Sequence, residues 1–259
     1  MNIQDVQKIL EEFWQTSPLN TVRELDNLVI FDRPLIGVAA ADDPIFEMLK
    51  QDNVVASHHA SPREWLEEAS SVISYFLPYS EMVRKANRVQ GVAAKEWLYG
   101  RIEGEQFNSA LREHLAVKIR EAGCQAVNPG RDQRFKVIER RSNWSERHVA
   151  YIAGLGTFSL SRSLITAKGA AGRLGSVITN LELEPVKRAY SDPEEYCIQC
   201  GACILRCPPL AIDEKGKDNA VCSAYLDRVL RRYQPRYGCG KCQTAVPCEH
   251  SIPRHRSEN

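Results

Sequence analysis

Three observations predict an α/β (α+β) protein built in two parts. Apolar runs of strand length alternate with amphipathic helical stretches through most of the chain, which is the pattern of a sheet covered by helices. Eight of the nine cysteines are confined to Cys197–Cys248. With 259 residues, 43% of them hydrophobic, the part before those cysteines is long enough to bury a core of its own. The expected division is an α/β domain over residues 1–188 and a small cysteine-built module over residues 189–259.

The elements follow in order. Ile3, Val6, Ile9, Leu10, Phe13 and Trp14 recur at helical spacing with Gln, Lys and Glu between them, an amphipathic helix that ends near Pro18. Pro34–Ala41 is a near-continuous apolar run, as expected for a strand buried on both faces, and Asp42-Asp43-Pro44 then starts a short helix towards Met48. Ser61 followed by Pro62 and Glu64 is a helix start, and Val72–Leu77 reads as a second buried strand. Two longer helices are expected over residues 81–98 and 105–122, the second stopped by Gly123.

Residues 130–148 are basic, with Arg131, Arg134, Lys136, Arg140, Arg141 and Arg147 against Asp132, Glu139 and Glu146. The plain reading is a solvated charged stretch; the functional one is a strip that binds a ligand phosphate. Val149, Ile152 and Ala153 continue as a helix into Gly154-Leu155-Gly156, and a strand-like segment follows from Phe158 to Thr166. Gly169, Gly172 and Gly175 then form a glycine-rich loop. Such a loop is either a tight turn between strands or a cradle that brings backbone N–H groups to a phosphate or planar ligand, and it matches neither the Walker pattern nor the dinucleotide fingerprint. The polar, turn-forming stretch from Val186 to Pro193 marks the boundary.

Cys197, Cys200 and Cys203 lie at i, i+3 and i+6, and Cys207 precedes Pro208. This is the spacing of ferredoxins that carry two cubane clusters, in which the cysteine before proline ligates the other cluster. Two 4Fe-4S clusters are therefore expected, one held by Cys197, Cys200, Cys203 and Cys248, the other by Cys207, Cys222, Cys239 and Cys242. Zinc sites take cysteines in pairs, which a triple with a trailing Cys-Pro does not resemble. Disulfide-rich modules are short, with cysteines distributed throughout. Cys124 stands apart as a small buried hydrophobe.

The charge balance of +1 gives the whole molecule no pull towards DNA or an anionic membrane. The N-terminus lacks a basic flank ahead of an apolar core, and no run of eighteen apolar residues occurs, so a cytoplasmic protein is expected.

SVISYFLPY with the later Tyr99-Gly100-Arg101, then ERHVAYIAGLG, then VCSAYL and YGCGKCQ within the cysteine module resemble the epoxyqueuosine reductase family, relatives of the reductive dehalogenases. That resemblance implies a nitroreductase-like α/β domain, a ferredoxin-like domain with two clusters, and a cobalamin between them that the clusters reduce. It also implies candidate cofactor contacts at Arg101, Gly154, Gly156, Gly172, Gly175 and Gly240. The chain departs from the family pattern where an aspartate general acid is expected before Glu146, since residues 140–147 read RRSNWSER. Cleaving a carbon–oxygen bond requires a proton donor. His148, Tyr75 and Glu146 are the replacement candidates, with Tyr79 also near; histidine is favoured by its near-neutral pKa. His58 and His59 form a pair suited either to a ligand or to a solvated loop.

The expected function is an iron–sulfur oxidoreductase whose clusters feed a corrinoid or substrate pocket in the first domain, acting on a small molecule or nucleoside other than epoxyqueuosine. The missing acid and the absence of a helical-repeat tail after Asn259 count against tRNA as a partner. The alternative is an electron-transfer protein that serves a redox partner, for example a corrinoid protein, with no substrate chemistry of its own.

Overall fold

The computed structural model describes residues 1–254. Helix α1 (Ile3–Thr16) opens the chain, held by a reciprocal cap in which Asp5 N–H donates to the Asn2 side chain and Asn2 N–H to Asp5. A two-residue ladder of β1 (Thr21–Val22) and β2 (Leu28–Val29) leads into β3 (Leu35–Ala40). Helix α2 (Ile45–Met48) and helix α3 (Pro62–Trp65) are single turns before β4 (Ser71–Pro78). Ser61 and Glu64 do form the helix start that the sequence suggests, but the chain turns extended at Leu66 after one turn because β4 begins five residues later.

The central sheet has the order β3, β4, β10 (Gly172–Thr179), β5 (Ala126–Val127), and every neighbouring pair is antiparallel. All eight residues of β4 are buried, so its side chains feed two cores in alternation. Ile73, Tyr75 and Leu77 pack towards α1 and the long helix α5 (Lys95–Glu121), while Val72 and Phe76 meet α6 (Glu146–Ile152), Phe46 and Trp144 on the opposite face. Helices thus cover both faces of one antiparallel sheet, the α+β form of the class.

The glycine-rich stretch differs from the loop expected. Gly172 and Gly175 lie on β10, in register with Pro78 and Tyr75 of β4. A side chain at Gly172 would overlap the Phe76 ring and one at Gly175 the Tyr75 hydroxyl, so these glycines make room for aromatic neighbours rather than for a turn.

The helix expected over residues 81–98 is also interrupted. Helix α4 (Glu81–Ala86) stops at Asn87, a loop follows through Gly91, and α5 starts at Lys95 to run for 27 residues. The carbonyls that a continuous helix would have satisfied are taken by two buried cations from the cysteine module. Arg206 donates to the carbonyls of Asn87, Arg88 and Val89 at 3.2, 2.9 and 3.4 Å. Lys241, fully buried, donates to the carbonyls of Asn87 and Val89 and to Asn87 Oδ1 at 3.1, 2.7 and 3.1 Å. Asn87 returns a bond from its amide to the Cys239 carbonyl at 2.9 Å.

After α5 the basic stretch folds as an exposed hairpin of β6 (Val137–Ile138) and β7 (Arg141–Ser142), with Glu139 and Arg140 at positive φ in its tip. A second hairpin joins β8 (Gly156–Phe158) to β9 (Leu164–Thr166). The segment from Val186 to Pro193 lies along β3 and α6: Val186 N–H donates to the Val38 carbonyl, Arg188 pairs with Asp43 at 2.6 Å and Tyr190 donates to the Tyr151 carbonyl. The cysteine-bearing part holds α7 (Ala202–Leu205), the ladder of β11 (Ile212–Asp213) and β12 (Gly216–Lys217), and α8 (Asn219–Tyr233). No helix among the described residues is long and apolar enough to cross a membrane.

Replacing Lys241 by Met removes three charge-assisted hydrogen bonds and leaves their acceptors only the bonds from Arg206, Thr244 and Ala94 N–H; a hydrogen bond to a charged group contributes about 1.5–3 kcal/mol. The expected outcome is a urea midpoint lowered by the equivalent of about 2–4 kcal/mol, with the exposed control Lys215→Met unchanged.

Candidate functional site

The eight cysteines sort into two groups. Cys197, Cys200, Cys203 and Cys248 line one tight cavity with Leu160, Ile165, Val246 and Pro247. The loop Cys197–Cys203 turns back through Gln199 and Gly201, both at positive φ, before α7. Cys207, Cys222, Cys239 and Cys242 line a second, larger cavity of about 430 Å³. Cys222 comes from α8, whose N-terminus Asp218 caps, and Cys239 and Cys242 from the turn after it. Burial pushes the thiols of Cys203, Cys239 and Cys248 up, to about 11, 12 and 12, and raises that of Cys242. In each group the neighbouring thiols raise them further, as like charges would. Thiolates gathered there require a bound cation to stay ionised, which is what cluster iron supplies. Among the described residues no three His, Cys, Asp or Glu converge on a point where they could hold a single metal ion.

The larger cavity opens between the sheet and the cysteine module. Phe76, Tyr79 and Trp97 form one side, Gly172, Gly238 and Gly240 lend backbone surface, and Arg101 stands beside them, its guanidinium on the Tyr237 hydroxyl at 2.8 Å. Gly240 has φ 64° and lies so close to the Trp97 indole that a side chain there would overlap the ring.

The deep end of this cavity is charged. Glu105 and Arg112, seven residues apart on α5, form an ion pair at 2.7 Å; Glu105 also pairs with Arg173 of β10, and Arg112 with Glu146 of α6 at 3.0 Å. Glu146 accepts from Ser176 at 2.6 Å on its other oxygen. Burial raises the Glu146 carboxyl above the usual range despite Arg112, whereas burial at Glu105 is outweighed by Arg173 and Arg112, which hold it low.

No family model matches the chain. The epoxyqueuosine reductase of Leadbetterella byssophila is 25% identical over 211 residues, which cover 76% of this chain and 64% of that protein. A solved epoxyqueuosine reductase with an epoxyqueuosine-modified tRNA-Tyr stem loop matches over 98% of this chain and 68% of that one, with a TM-score of 0.55 and 18% identity. A reductive dehalogenase, whose structure was described for B12-dependent dehalogenation, matches over 86% of this chain and 30% of that one, with a TM-score of 0.59 and 14% identity. The chain is similar to epoxyqueuosine reductases in sequence and in fold. It spans less than two thirds of the curated relative's length.

On this epoxyqueuosine reductase-like fold the candidate residues fall in different places. Arg101, Gly172, Gly240 and Glu146 line the larger cavity. Gly175 packs against Tyr75 and Asn108, Gly154 against Val186, and Gly156 against Ile165; none of these three lines a cavity beside the cysteines. Tyr75 is fully buried and its hydroxyl donates to Asn108 Oδ1 at 2.8 Å, in the core rather than at a surface. His148 faces a third cavity, bonded through Nδ1 to the Ser145 hydroxyl at 2.7 Å, and burial with Arg147 nearby pushes its pKa down to about 3. A neutral imidazole of that kind is a poor proton donor near pH 7. His59 is buried beside Trp144 and accepts from Ser145 N–H, while the half-buried His58 bonds the Arg141 carbonyl. The pair is structural at His59 and local at His58. Glu105, Arg112 and Arg173 were not singled out by sequence reasoning. The one available signal was a polar Glu105, Asn108, Arg112 ridge on a helix face otherwise closed by Phe107, Leu111 and Leu115.

His59 and His148 both have pKa values depressed in the folded state, to about 4 and about 3, against 6.5 unfolded. The unfolded chain therefore binds more protons between those limits, and stability is full above pH 6.5 and is lost as pH falls. Thermal midpoints measured from pH 7 to pH 5 are expected to fall, and His148→Gln to flatten the slope; a slope unchanged by that variant contradicts the assignment.

Proposed function

We propose that the chain is an iron–sulfur reductase in which two 4Fe-4S clusters deliver electrons to a corrinoid or substrate in the larger cavity. Residues 1–188 supply the sheet-bearing domain and residues 189–259 the ferredoxin-like one. The observation that carries the reading is the shared lining of that cavity. Cys207, Cys222, Cys239 and Cys242 face the same space as Trp97, Arg101, Gly172 and Gly240. The separate grouping of Cys197, Cys200, Cys203 and Cys248 supports a first cluster behind it. Cys242 of one group helps to raise the thiol of Cys203 in the other, which supports two neighbouring clusters.

The donor set fits cubane clusters: four cysteines per cavity, largely apolar walls, and thiols that need metal charge to ionise. A corrinoid, when bound, supplies a low-valent cobalt that takes single electrons from the clusters and passes them to carbon. For such a planar group the backbone surface at Gly172, Gly238 and Gly240, the Trp97 ring and Arg101 are the holding residues. Glu146 is the proposed proton holder, because its carboxyl opens on the cavity and retains a proton to higher pH than an ordinary glutamate. Ser176 and Arg112 fix its two oxygens. With the family's aspartate absent before Glu146, the substrate proposed is not epoxyqueuosine.

A second reading, electron transfer to a partner protein, is favoured by Leu205 and Leu210. They flank Cys207 and are 85% and 81% exposed, an apolar edge where a redox partner can seat.

Anaerobically isolated protein is expected to be brown, with broad absorption near 400 nm and about eight iron atoms per chain. Cys248→Ala should reduce that to about four while leaving the second group loaded. Added cobalamin should co-elute on gel filtration and be reduced when the clusters are. Colourless protein with zinc in place of iron overturns the redox reading; iron with no retained corrinoid leaves the electron-transfer reading.

A further inference from the structure

A third cavity, of about 630 Å³, lies beside the proposed redox site and meets it at Arg147 and Lys217, which line both. Its walls are of two kinds. Ile45, Leu49, Tyr151 and Phe158 make one side apolar and aromatic, with the Tyr151 and Phe158 rings 6.0 Å apart and His148 against Phe158 at 4.8 Å. The other side is cationic, formed by Arg140, Arg141, Arg147, Arg162 and Lys217.

What sets this lining apart is missing counter-charge. Arg162 is paired with Glu194 at 2.7 Å. Arg141 spends one nitrogen on the carbonyls of Asp52 and Val55, and Arg147 donates to the Arg162 carbonyl at 2.5 Å, contacts that fix the side chains without neutralising them. Among the described residues no carboxylate lies within ion-pair distance of Arg140, Arg141, Arg147 or Lys217, and of the two acids on the wall Asp52 alone has no cationic partner. Elsewhere Arg84, Arg112, Arg173 and Arg188 each meet a carboxylate, and the buried Arg206 spends its donors on backbone carbonyls. Arg147 is exposed where the two cavities meet, and desolvation by the surrounding walls together with Arg162 works against its charge. Four unbalanced cations around one concave, partly aromatic space repel one another at a cost that a bound anion removes.

We infer that this cavity binds a small organic anion, a carboxylate or phosphate on a flat apolar body, as the substrate whose reducible end reaches the neighbouring redox site past Arg147. Only the word substrate rests on the redox reading; the anion site stands on the cavity itself. Guanidinium groups match carboxylate and phosphate oxygens two at a time, and Tyr151 and Phe158 offer the surface for a ring. A concave pocket with an apolar wall suits a small molecule better than the backbone of a polynucleotide, which needs a continuous exposed stripe.

The test is a calorimetric titration of the cluster-loaded protein with benzoate, phenyl phosphate and neutral benzyl alcohol, and with an RNA stem loop. At least one of the two anions is expected to bind about tenfold or more tightly than the alcohol, and to weaken as salt is raised. Arg140→Gln, on an exposed hairpin tip where the fold cannot depend on it, and Lys217→Gln should each weaken the anion several-fold and leave the alcohol unchanged. Arg147→Met should weaken it most, with circular dichroism confirming the fold. Equal affinity for anion and alcohol, insensitivity to both Arg140→Gln and Lys217→Gln, or tight binding of the RNA that the small anions do not displace overturns the inference. Since the readout is binding and not turnover, failure to take up a corrinoid does not alter it.

Discussion

The seating of two buried cations on a broken helix is the interaction on which the rest of the molecule depends. Arg206 and Lys241 belong to the cysteine module, and the carbonyls they satisfy belong to Asn87, Arg88 and Val89 of the sheet-bearing part. Burying such charge is costly unless every donor finds an acceptor, so the arrangement is stable only when the two parts are docked in one register. Burial and the adjacent Arg206 lower the Lys241 pKa to about 8. Glu249, buried and paired with Arg84 and Arg88, closes the same seam from the far end. The docked register brings Gly238 and Gly240 against Trp97 and so creates the larger cavity.

That docking also explains which parts of the molecule were legible in the sequence. Apolar runs such as Pro34–Ala41 and Val72–Leu77 declare themselves because strands buried on both faces cannot alternate, and β3 and β4 lie where those runs do. The grouping of cysteines follows spacing along the chain, a local property. The break at Asn87 was not legible, because its cause is a pair of cations more than a hundred residues away. Gly172 and Gly175 looked like loop residues for a similar reason: the aromatic rings that require them sit on another strand.

The site divides along the same line. Arg101 and Cys207, Cys222, Cys239 and Cys242 are local signals that the fold carries to one cavity. The setting of His148 was not legible, because its lowered pKa depends on burial and on Arg147, which spacing does not report. Glu105, Arg112 and Arg173 form their cluster only when α5, α6 and β10 meet, and within the sequence Glu105 and Arg112 look like ordinary helix-surface charges and Arg173 like a loop residue. Charge balance was equally hidden: a chain of net charge +1 still concentrates unpaired cations at one cavity.

The register of the central sheet bears on the order of assembly. β4 and β10 pair along their whole length, Pro78 with Gly172 and Ser71 with Thr179, so the middle of the sheet cannot close until the ribosome has delivered nearly the whole first part of the chain. Every cysteine but Cys124 is translated after that point. Whatever metal these thiols take is therefore presented to a wall already standing, and a slow or frayed β10 would leave them to scavenge the wrong ion in an unfolded tail.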